Sequence, residues 1–264
     1  MAIDYRHGIS LLEIVVYSPT LCLAIWMSFH HGFKRSSCWS FLNIFSLVRI
    51  AGSACYLATI HYPSNLNLYI SWAVCTSLGF SQLILACLGL LSRANDSIMR
   101  KTANPLPAMI FRLLQISALI GVTLSITGTT KNFSISHMMV NTETKFGLIF
   151  YIICWIGVFG LFLPILQRAQ SIEDGEHRLL LAVGISLPLI LVRLIYSLIF
   201  SFGHKAEFDA MSGNITIQLV MSILEEMLVV FVCLGIGFTL QVRPATEYTQ
   251  QINVYGEEHS GARE

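Results

Sequence analysis

The chain has 264 residues, of which 55% are hydrophobic and only 12% are charged, and its mean hydropathy is +0.68. A soluble domain usually carries about 25% charged residues, so this composition excludes an ordinary soluble enzyme. The formal net charge is +1 and no stripe of basic residues occurs, which excludes a nucleic-acid partner. The composition instead predicts an integral membrane protein whose surroundings are lipid.

Seven long apolar segments follow one another along the chain and predict seven transmembrane helices. A run of about 20 apolar residues is long enough to cross a bilayer as a helix. The connections are short, so residues 1–241 are predicted to form a single all-α membrane domain, and the polar residues 242–264 a disordered cytosolic tail. The predicted segments are about 8–30, 38–61, 66–92, 106–128, 144–167, 178–203 and 214–241.

Lysine and arginine residues in the connections predict the orientation of the helices, because these residues favour the cytosolic side. Nine of them lie in the 31–37, 93–105 and 168–178 connections and in the tail, and four lie on the opposite side. The N-terminus is therefore expected in the lumen and the C-terminus in the cytosol, in an internal membrane such as the endoplasmic reticulum. The acidic stretch EDGEH, residues 173–177, is interpreted as a solvated cytosolic turn.

The sequence lacks the motifs that hold common cofactors and metals. The seven cysteines fall inside predicted helices without a CxxC spacing, which indicates neither a disulfide framework nor a zinc site. No lysine lies deep inside a predicted helix, so a retinal Schiff base is excluded. No DDxxD-like run offers a site for the magnesium ions that ionise an allylic diphosphate, and no HExxH, GxSxG or phosphate-loop motif occurs. We expect neither a cofactor nor a metal.

A layer of charged residues is predicted in the middle of the membrane. At about 1.5 Å per residue, Arg49 lies roughly 18 Å along its helix from the predicted lumenal end, Arg193 roughly 15 Å and Glu225 roughly 16 Å, with Glu226 beside it. A charge at the bilayer centre costs about 3 kcal/mol or more, so these side chains are expected to pair inside the bundle. Such a cluster either fixes the register of the helices or forms part of a functional site.

The helical faces predict a pocket above this layer. Glu13 and several aromatic side chains lie roughly 7–14 Å below the lumenal end. Other polar and aromatic residues share a face with Arg49, Arg193 or the two glutamates at about 100° per residue. For each aromatic residue taken alone, packing in the core or against lipid is favoured over a place in a binding wall. The predicted substrate-binding residues are Tyr17, Tyr56, Trp72, Gln82, Tyr196, Phe200, Gln218 and Ser222.

Acid catalysis in an apolar cavity is the chemistry that these residues favour. Burial favours a neutral carboxylic acid and a nearby arginine favours a carboxylate, so two glutamates are expected to divide the roles of proton donor and ion-pair partner. We expect Glu226 to be the donor and Glu225 the partner of Arg49 and Arg193, with Glu13 as the remaining candidate. Aromatic faces would then stabilise a carbocation.

Three stretches resemble a group of small fungal seven-helix membrane proteins. They are EDGEHRLLLAVGISLPLILVRLIYS (173–197), GNITIQLVMSILEEMLVVFVCLGIGFTLQ (213–241) and FSLVRIAGSACYLATI (45–60). This group includes the membrane-bound terpene cyclases of the ascofuranone and macrophorin type. The resemblance covers about residues 5–241. It implies cyclisation, started by protonation and without loss of diphosphate, of a farnesyl chain already joined to a polyketide-derived ring. It assigns no catalytic residue.

These observations together favour a membrane-bound terpene cyclase that acts on a hydrophobic prenylated small molecule, through its alkene or a terminal epoxide. Two alternatives stay open. One is a membrane epoxide hydrolase, in which a carboxylate attacks the epoxide or activates water. The other is a non-enzymatic seven-helix receptor or transporter. The short connections disfavour it, because they provide no sizeable loop or soluble module for signalling.

The charge distribution makes a testable prediction about topology. Reporter fusions or thiol labelling at the two ends should place the N-terminus in the lumen and the C-terminus in the cytosol. The reason is that nine lysines and arginines lie on the predicted cytosolic side and only four on the lumenal side. Finding the two ends on the same side would contradict seven membrane crossings, and finding them exchanged would contradict the predicted orientation.

Overall fold

The computed structural model of the protein describes residues 5–31, 37–102, 106–131, 141–169, 172, 176–203 and 213–240. Within these ranges the chain is helical and seven helices are long and apolar enough to cross a membrane, as the sequence predicts. The predicted tail at 242–264 lies outside the described residues. The helices are α1 Tyr5–His31, α2 Ser37–Ala58, α3 Leu66–Thr102, α4 Ala108–Lys131, α5 Thr142–Gln167, α6 His177–Gly203 and α7 Ile215–Thr239.

The third helix is the centre of the bundle. It packs against α2, α4, α5, α6 and α7, whereas α1 packs mainly against α2 and α7. Accordingly α3 has the most buried membrane-spanning segment, and the outer helices turn apolar side chains outward where lipid would lie. Consecutive helices alternate in direction. We call the end where α1, α3, α5 and α7 begin the amino-terminal face.

The third helix extends to Thr102, well past the predicted end at residue 92. The extension is packed, since Ala94 and Ile98 are almost fully buried. Arg93 Nη2 lies 3.1 Å from Glu176 Oε1, and both side chains are buried. The interpretation of residues 173–177 as a solvated turn is therefore wrong at Glu176, because the ion pair with Arg93 draws this carboxylate into the packed end of the bundle.

Two glycines allow α4 and α5 to approach closely. A Cβ atom on Gly128 would lie 2.6 Å from the backbone nitrogen of Thr144, and one on Gly147 would lie 2.9 Å from the carbonyl oxygen of Gly121. These separations are shorter than the contacts that Cβ atoms make, so a larger residue at either position would push the helices apart. The close approach brings polar side chains of α4 and α5 to the same internal surface.

The seventh helix contains a π-helical segment, Leu219–Leu224, between the α-helical stretches Ile215–Gln218 and Glu225–Thr239. In a π-helix the hydrogen bonds run from residue i to i+5, so each residue advances around the axis by less than it does in an α-helix. The segment ends immediately before the two adjacent glutamates. It therefore changes which way Glu225 and Glu226 face relative to the beginning of α7.

Polar contacts close the amino-terminal face between α1 and α7. The Arg6 guanidinium donates from Nη2 to the carbonyl oxygen of Gly213 at 2.7 Å and from Nη1 to Gln218 Oε1 at 3.4 Å. Asn214 caps the start of α7, where its side chain accepts a hydrogen bond from the Thr216 N–H. These contacts hold the beginnings of the first and last helices side by side.

Candidate functional site

Four buried charges from four helices form a continuous ionic chain in the interior. Arg49 Nη1 lies 3.4 Å from Glu13 Oε1, and Arg49 Nη2 donates to Glu226 Oε2. The other Glu226 oxygen, Oε1, accepts from Arg193 Nε at 2.9 Å. We call these four residues the charged cluster. It joins α1, α2, α6 and α7, and it contains two positive and two negative groups.

The burial of the cluster makes this mutual pairing necessary. All four residues expose 6% or less of their surface, with Glu226 at 1%. A charge taken out of water without a partner carries a penalty of several kcal/mol even after the protein relaxes. The prediction that Arg49 and Arg193 meet at least one of the two adjacent glutamates inside the bundle is confirmed.

The ion-pair role expected for Glu225 belongs to Glu226 instead. Glu226, not Glu225, lies between the arginines and accepts from both. Glu225 is half-buried, and within the described part of the chain it makes no ion pair and its Oε2 has no hydrogen-bond partner. The π-helical turn before these residues explains the error, since a uniform advance of about 100° per residue does not hold across it.

Neighbouring side chains hold the cluster in place. The Ser53 hydroxyl donates to Glu13 Oε2, and Arg193 Nη1 donates to Ser197 Oγ at 3.4 Å. A Cβ atom on Gly79 of α3 would lie 3.0 Å from Arg49 Nε. The absence of a side chain at Gly79 therefore leaves room for the guanidinium of Arg49 between α2 and α3.

A cavity of about 100 Å³ opens beside the cluster in the half of the bundle nearer the amino-terminal face. This volume is several times the ~10–15 Å³ that a cavity needs to hold one water. We call it the large cavity. Its lining is mostly aromatic and hydroxyl-bearing: Trp72, Ala73, Thr76, Ser77, Phe80, Ser125, Thr129, Thr144, Leu148, Tyr151, Arg193, Tyr196, Ser197, Phe200, Ser201, Gln218 and Ser222.

Arg193 connects the charged cluster to this cavity. Its guanidinium carbon lies 5.9 Å from the centre of the Phe80 ring and 5.8 Å from that of Tyr196, both within reach of a cation–π interaction. Phe80 also packs edge-on against Tyr151, with the ring centres 5.0 Å apart. Aromatic rings therefore line the cavity next to a cation whose charge Glu226 balances.

A second, smaller cavity of about 20 Å³ lies on the other side of a shared wall. We call it the small cavity. The shared wall consists of Trp72, Thr76, Gln218 and Ser222, which line both spaces. The small cavity alone is lined by Arg6, Ile9, Ser10, Glu13, Arg49, Tyr56 and Ile223. Among the residues that line these two spaces, Glu13 alone has a carboxyl group, and it faces the small cavity.

Most of the predicted substrate-binding residues meet at these cavities, and two do not. Trp72, Tyr196, Phe200, Gln218 and Ser222 line the large cavity, and Tyr56 lines the small one. Tyr17 is fully buried and packs edge-on against Phe45, so it belongs to the core below the cavities. Gln82 is half-buried on α3 and lines neither space.

The contribution of α4 and α5 to the large cavity was not predicted from the sequence. Ser125 and Thr129 of α4 face Thr144, Leu148 and Tyr151 of α5 across it. The available signal was the repetition of hydroxyl residues four positions apart on α4, next to the glycines that bring the two helices together. Single hydroxyl residues are common in membrane helices, so this signal is weaker than a buried charge.

The described side chains do not present a metal site. Within the described ranges, no three histidine, cysteine, aspartate or glutamate residues are grouped as a metal ion would require. The two carboxylates of the cluster already accept hydrogen bonds from arginine or serine. The arrangement is suited to moving a proton between a carboxyl group and a ligand in the neighbouring cavity.

Comparison with known proteins places the chain in a family. The protein belongs to the family described as a domain of unknown function (DUF7702), whose sequence profile matches residues 3–243. The match covers all seven helices and therefore both cavities and the charged cluster. No curated protein matches the chain significantly.

The pairing of the arginines with Glu226 and not with Glu225 leads to a stability prediction. Glu226→Gln should lower the free energy of unfolding by about 3 kcal/mol or more, since it leaves Arg193 buried without its carboxylate. Glu225→Gln should change it by less than about 1 kcal/mol, because Glu225 is half-buried and unpaired. Denaturant titration of both variants in the same detergent checks this, and an equal or larger effect of Glu225→Gln would contradict the assignment.

Proposed function

We propose that the protein is a membrane-bound terpene cyclase that starts cyclisation by protonating the prenyl chain of a hydrophobic substrate. The observation that carries this proposal is a buried carboxyl group, Glu13, in a small cavity that shares a wall with an aromatic cavity inside seven membrane helices. A substrate of this kind dissolves in the bilayer, so its reactive chain can enter the bundle. The resemblance to fungal membrane-bound cyclases supports the same activity, and an internal membrane such as the endoplasmic reticulum is its proposed location.

Geometry favours Glu13 over Glu226 as the proton donor. Both oxygens of Glu226 accept hydrogen bonds from arginine cations, which favour its ionised form, and Glu226 lines neither the large nor the small cavity. Glu13 has only a 3.4 Å contact to Arg49 and a hydrogen bond from Ser53, and it faces the small cavity. The proposal therefore moves the donor role from Glu226, favoured by the sequence, to Glu13, and Glu226 becomes the group that compensates Arg49 and Arg193.

The charge balance of the cluster favours release of this proton. When Glu13 carries a proton, Arg49 and Arg193 face only one carboxylate, Glu226. When Glu13 gives the proton away, the cluster contains two cations and two anions. Arg49 and Ser53 then stabilise the carboxylate that is formed, which makes protonation of a weak base such as an alkene or an epoxide easier.

The reaction is balanced without a cofactor. The proton of Glu13 adds to the terminal alkene or to the epoxide oxygen, and the resulting carbocation is attacked by the next double bond of the same chain. New carbon–carbon bonds form until the last cation loses a proton to water at the opening of the cavity, so the product has the mass of the substrate. Thr76 and Ser222 in the shared wall carry hydroxyls that can pass the proton from Glu13 to a chain in the large cavity.

The walls of the large cavity suit such a cation. Trp72, Phe80, Tyr151, Tyr196 and Phe200 present aromatic rings to one space, and a ring face attracts a desolvated cation by about 2 kcal/mol. The volume of about 100 Å³ accommodates the reacting end of a ligand, so the remainder of a prenylated substrate would extend through the opening of the cavity. The hydroxyl groups around that space can accept or donate hydrogen bonds to an oxygenated ring.

Incubation of membranes that contain the protein with farnesylated phenols and their terminal epoxides tests the proposal. We expect cyclic products of unchanged mass by mass spectrometry and NMR. Glu13→Gln should reduce the rate by about 10²–10⁴-fold, the usual contribution of a general acid, because glutamine cannot supply an acidic proton. Glu143→Gln is the matched control, since Glu143 pairs with Lys131 on an exposed part of the bundle and should retain activity.

The products also separate the alternatives. Addition of one water to the epoxide would identify an epoxide hydrolase instead of a cyclase. An unchanged substrate that nevertheless binds would favour a receptor or transporter. Cyclisation that persists at the normal rate in well-folded Glu13→Gln would remove Glu13 from the donor role.

A further inference from the structure

The small cavity has the size and lining of a site for water. Its volume of about 20 Å³ exceeds the ~10–15 Å³ that a single water needs. Polar groups of Ser10, Glu13, Arg49 and Ser222 border the space, and a buried water typically makes about three hydrogen bonds. An apolar void of the same size would stay empty, whereas this one offers enough partners to hold a water.

The same cavity extends from the amino-terminal face to the charged cluster. Arg6 lies in the first turn of α1 and is only partly buried, and Glu13 lies seven residues further along the helix. At about 1.5 Å per residue these positions are roughly 10 Å apart along the axis. Ser10 lies between them, is 4% exposed, and lines the same space. Polar side chains therefore connect the surface to Glu13 along one side of α1.

We propose that the small cavity is a hydrated passage that returns protons to Glu13 from the amino-terminal face. The inference rests on the proposed function in one respect, the role of Glu13 as the donor. A cyclase must reload its donor after each reaction, because the last cation loses its proton at a different position in the substrate from the alkene carbon or epoxide oxygen that was protonated. The passage supplies that proton without opening the cavity that holds the substrate.

The shared wall separates a cavity that must exclude water from one that must contain it. Water in the large cavity would capture a carbocation and end the cyclisation, so that space has to exclude water during the reaction. Reloading Glu13 instead needs contact with water. Trp72 is 8% exposed and lies between the two spaces with Thr76, Gln218 and Ser222. The arrangement keeps water on one side of Glu13 and the substrate on the other.

Ser10→Leu is the variant that fills the passage, and Ser18→Leu is its matched control. Ser18 lies on the same helix, and its side chain is exposed on the outer surface of the bundle. Ser10→Val fills less of the space and covers the case in which leucine prevents folding. Ser10→Ala leaves the space open and separates blockage from loss of the hydroxyl group.

Two measurements on the full chain in lipid nanodiscs follow the proton. The first is infrared spectroscopy after a change from H₂O to D₂O, with the Glu13 carboxylic acid band identified by its loss in Glu13→Gln. We expect deuterium exchange of this band to be at least about tenfold slower in Ser10→Leu, less slowed in Ser10→Val, and unchanged in Ser18→Leu and Ser10→Ala, a difference well within the 10²–10⁴-fold reach of a proton-transfer step. The second is rapid-mixing kinetics with a farnesylated phenol epoxide, in which the first turnover of Ser10→Leu should keep the wild-type rate while later turnovers slow.

Each outcome decides a different point. Exchange in folded Ser10→Leu and Ser10→Val as fast as in the wild type would overturn the passage, whether or not cyclisation occurs. Absence of a Glu13 carboxylic acid band in the wild type would overturn both the passage and the donor role. Slowed exchange in Ser10→Leu without any cyclic product would support the passage as a route to Glu13 and would count against the cyclase function alone.

Discussion

The structure depends on one carboxylate that serves two arginines. Glu226 of α7 accepts from Arg49 of α2 through one oxygen and from Arg193 of α6 through the other. Both arginines lie near the middle of their helices, where a charge without a partner is costly, so each needs an anion at that depth. Because α3 packs at the centre and Gly79 leaves space beside it, the three charged side chains can meet around that helix. This interaction fixes how α2, α6 and α7 are placed, and the cavities follow from that placement.

The position of Glu13 gives the cluster a chemical capacity beyond helix register. Three residues, Arg49, Arg193 and Glu226, leave one positive charge uncompensated, and Glu13 can balance it by losing a proton. A purely structural cluster would have no need to expose one of its carboxylates to a cavity. The exposure of Glu13 to the small cavity, with an aromatic space across the shared wall, is therefore what turns a buried ion cluster into a candidate acid catalyst.

The sequence predicts the helices and the charged layer because both follow from simple energetic constraints. Apolar length determines the spans, and the cost of an unpaired charge in the membrane requires Arg49 and Arg193 to find partners. The choice between Glu225 and Glu226 could not be predicted, since the preceding π-helical turn has no recognised signature in the residues. The pairing of Arg93 with Glu176 could not be predicted either, because the two residues are 83 positions apart and both lie in segments that the sequence predicts to be connections.

A double-mutant cycle between Arg193 and Glu226 tests the central claim most directly. The free energy of unfolding is measured in lipid nanodiscs or one detergent for Arg193→Met, Glu226→Met and the combined variant. Glu226→Met leaves Arg193 buried without a carboxylate, and Arg193→Met leaves one oxygen of Glu226 without its donor. We therefore expect the combined variant to be more stable than the two single effects predict when they are added, with a coupling of about 1–3 kcal/mol. Effects that add to within about 0.5 kcal/mol would show that the two residues are independent, and would contradict an account in which Glu226 holds the bundle and its site together.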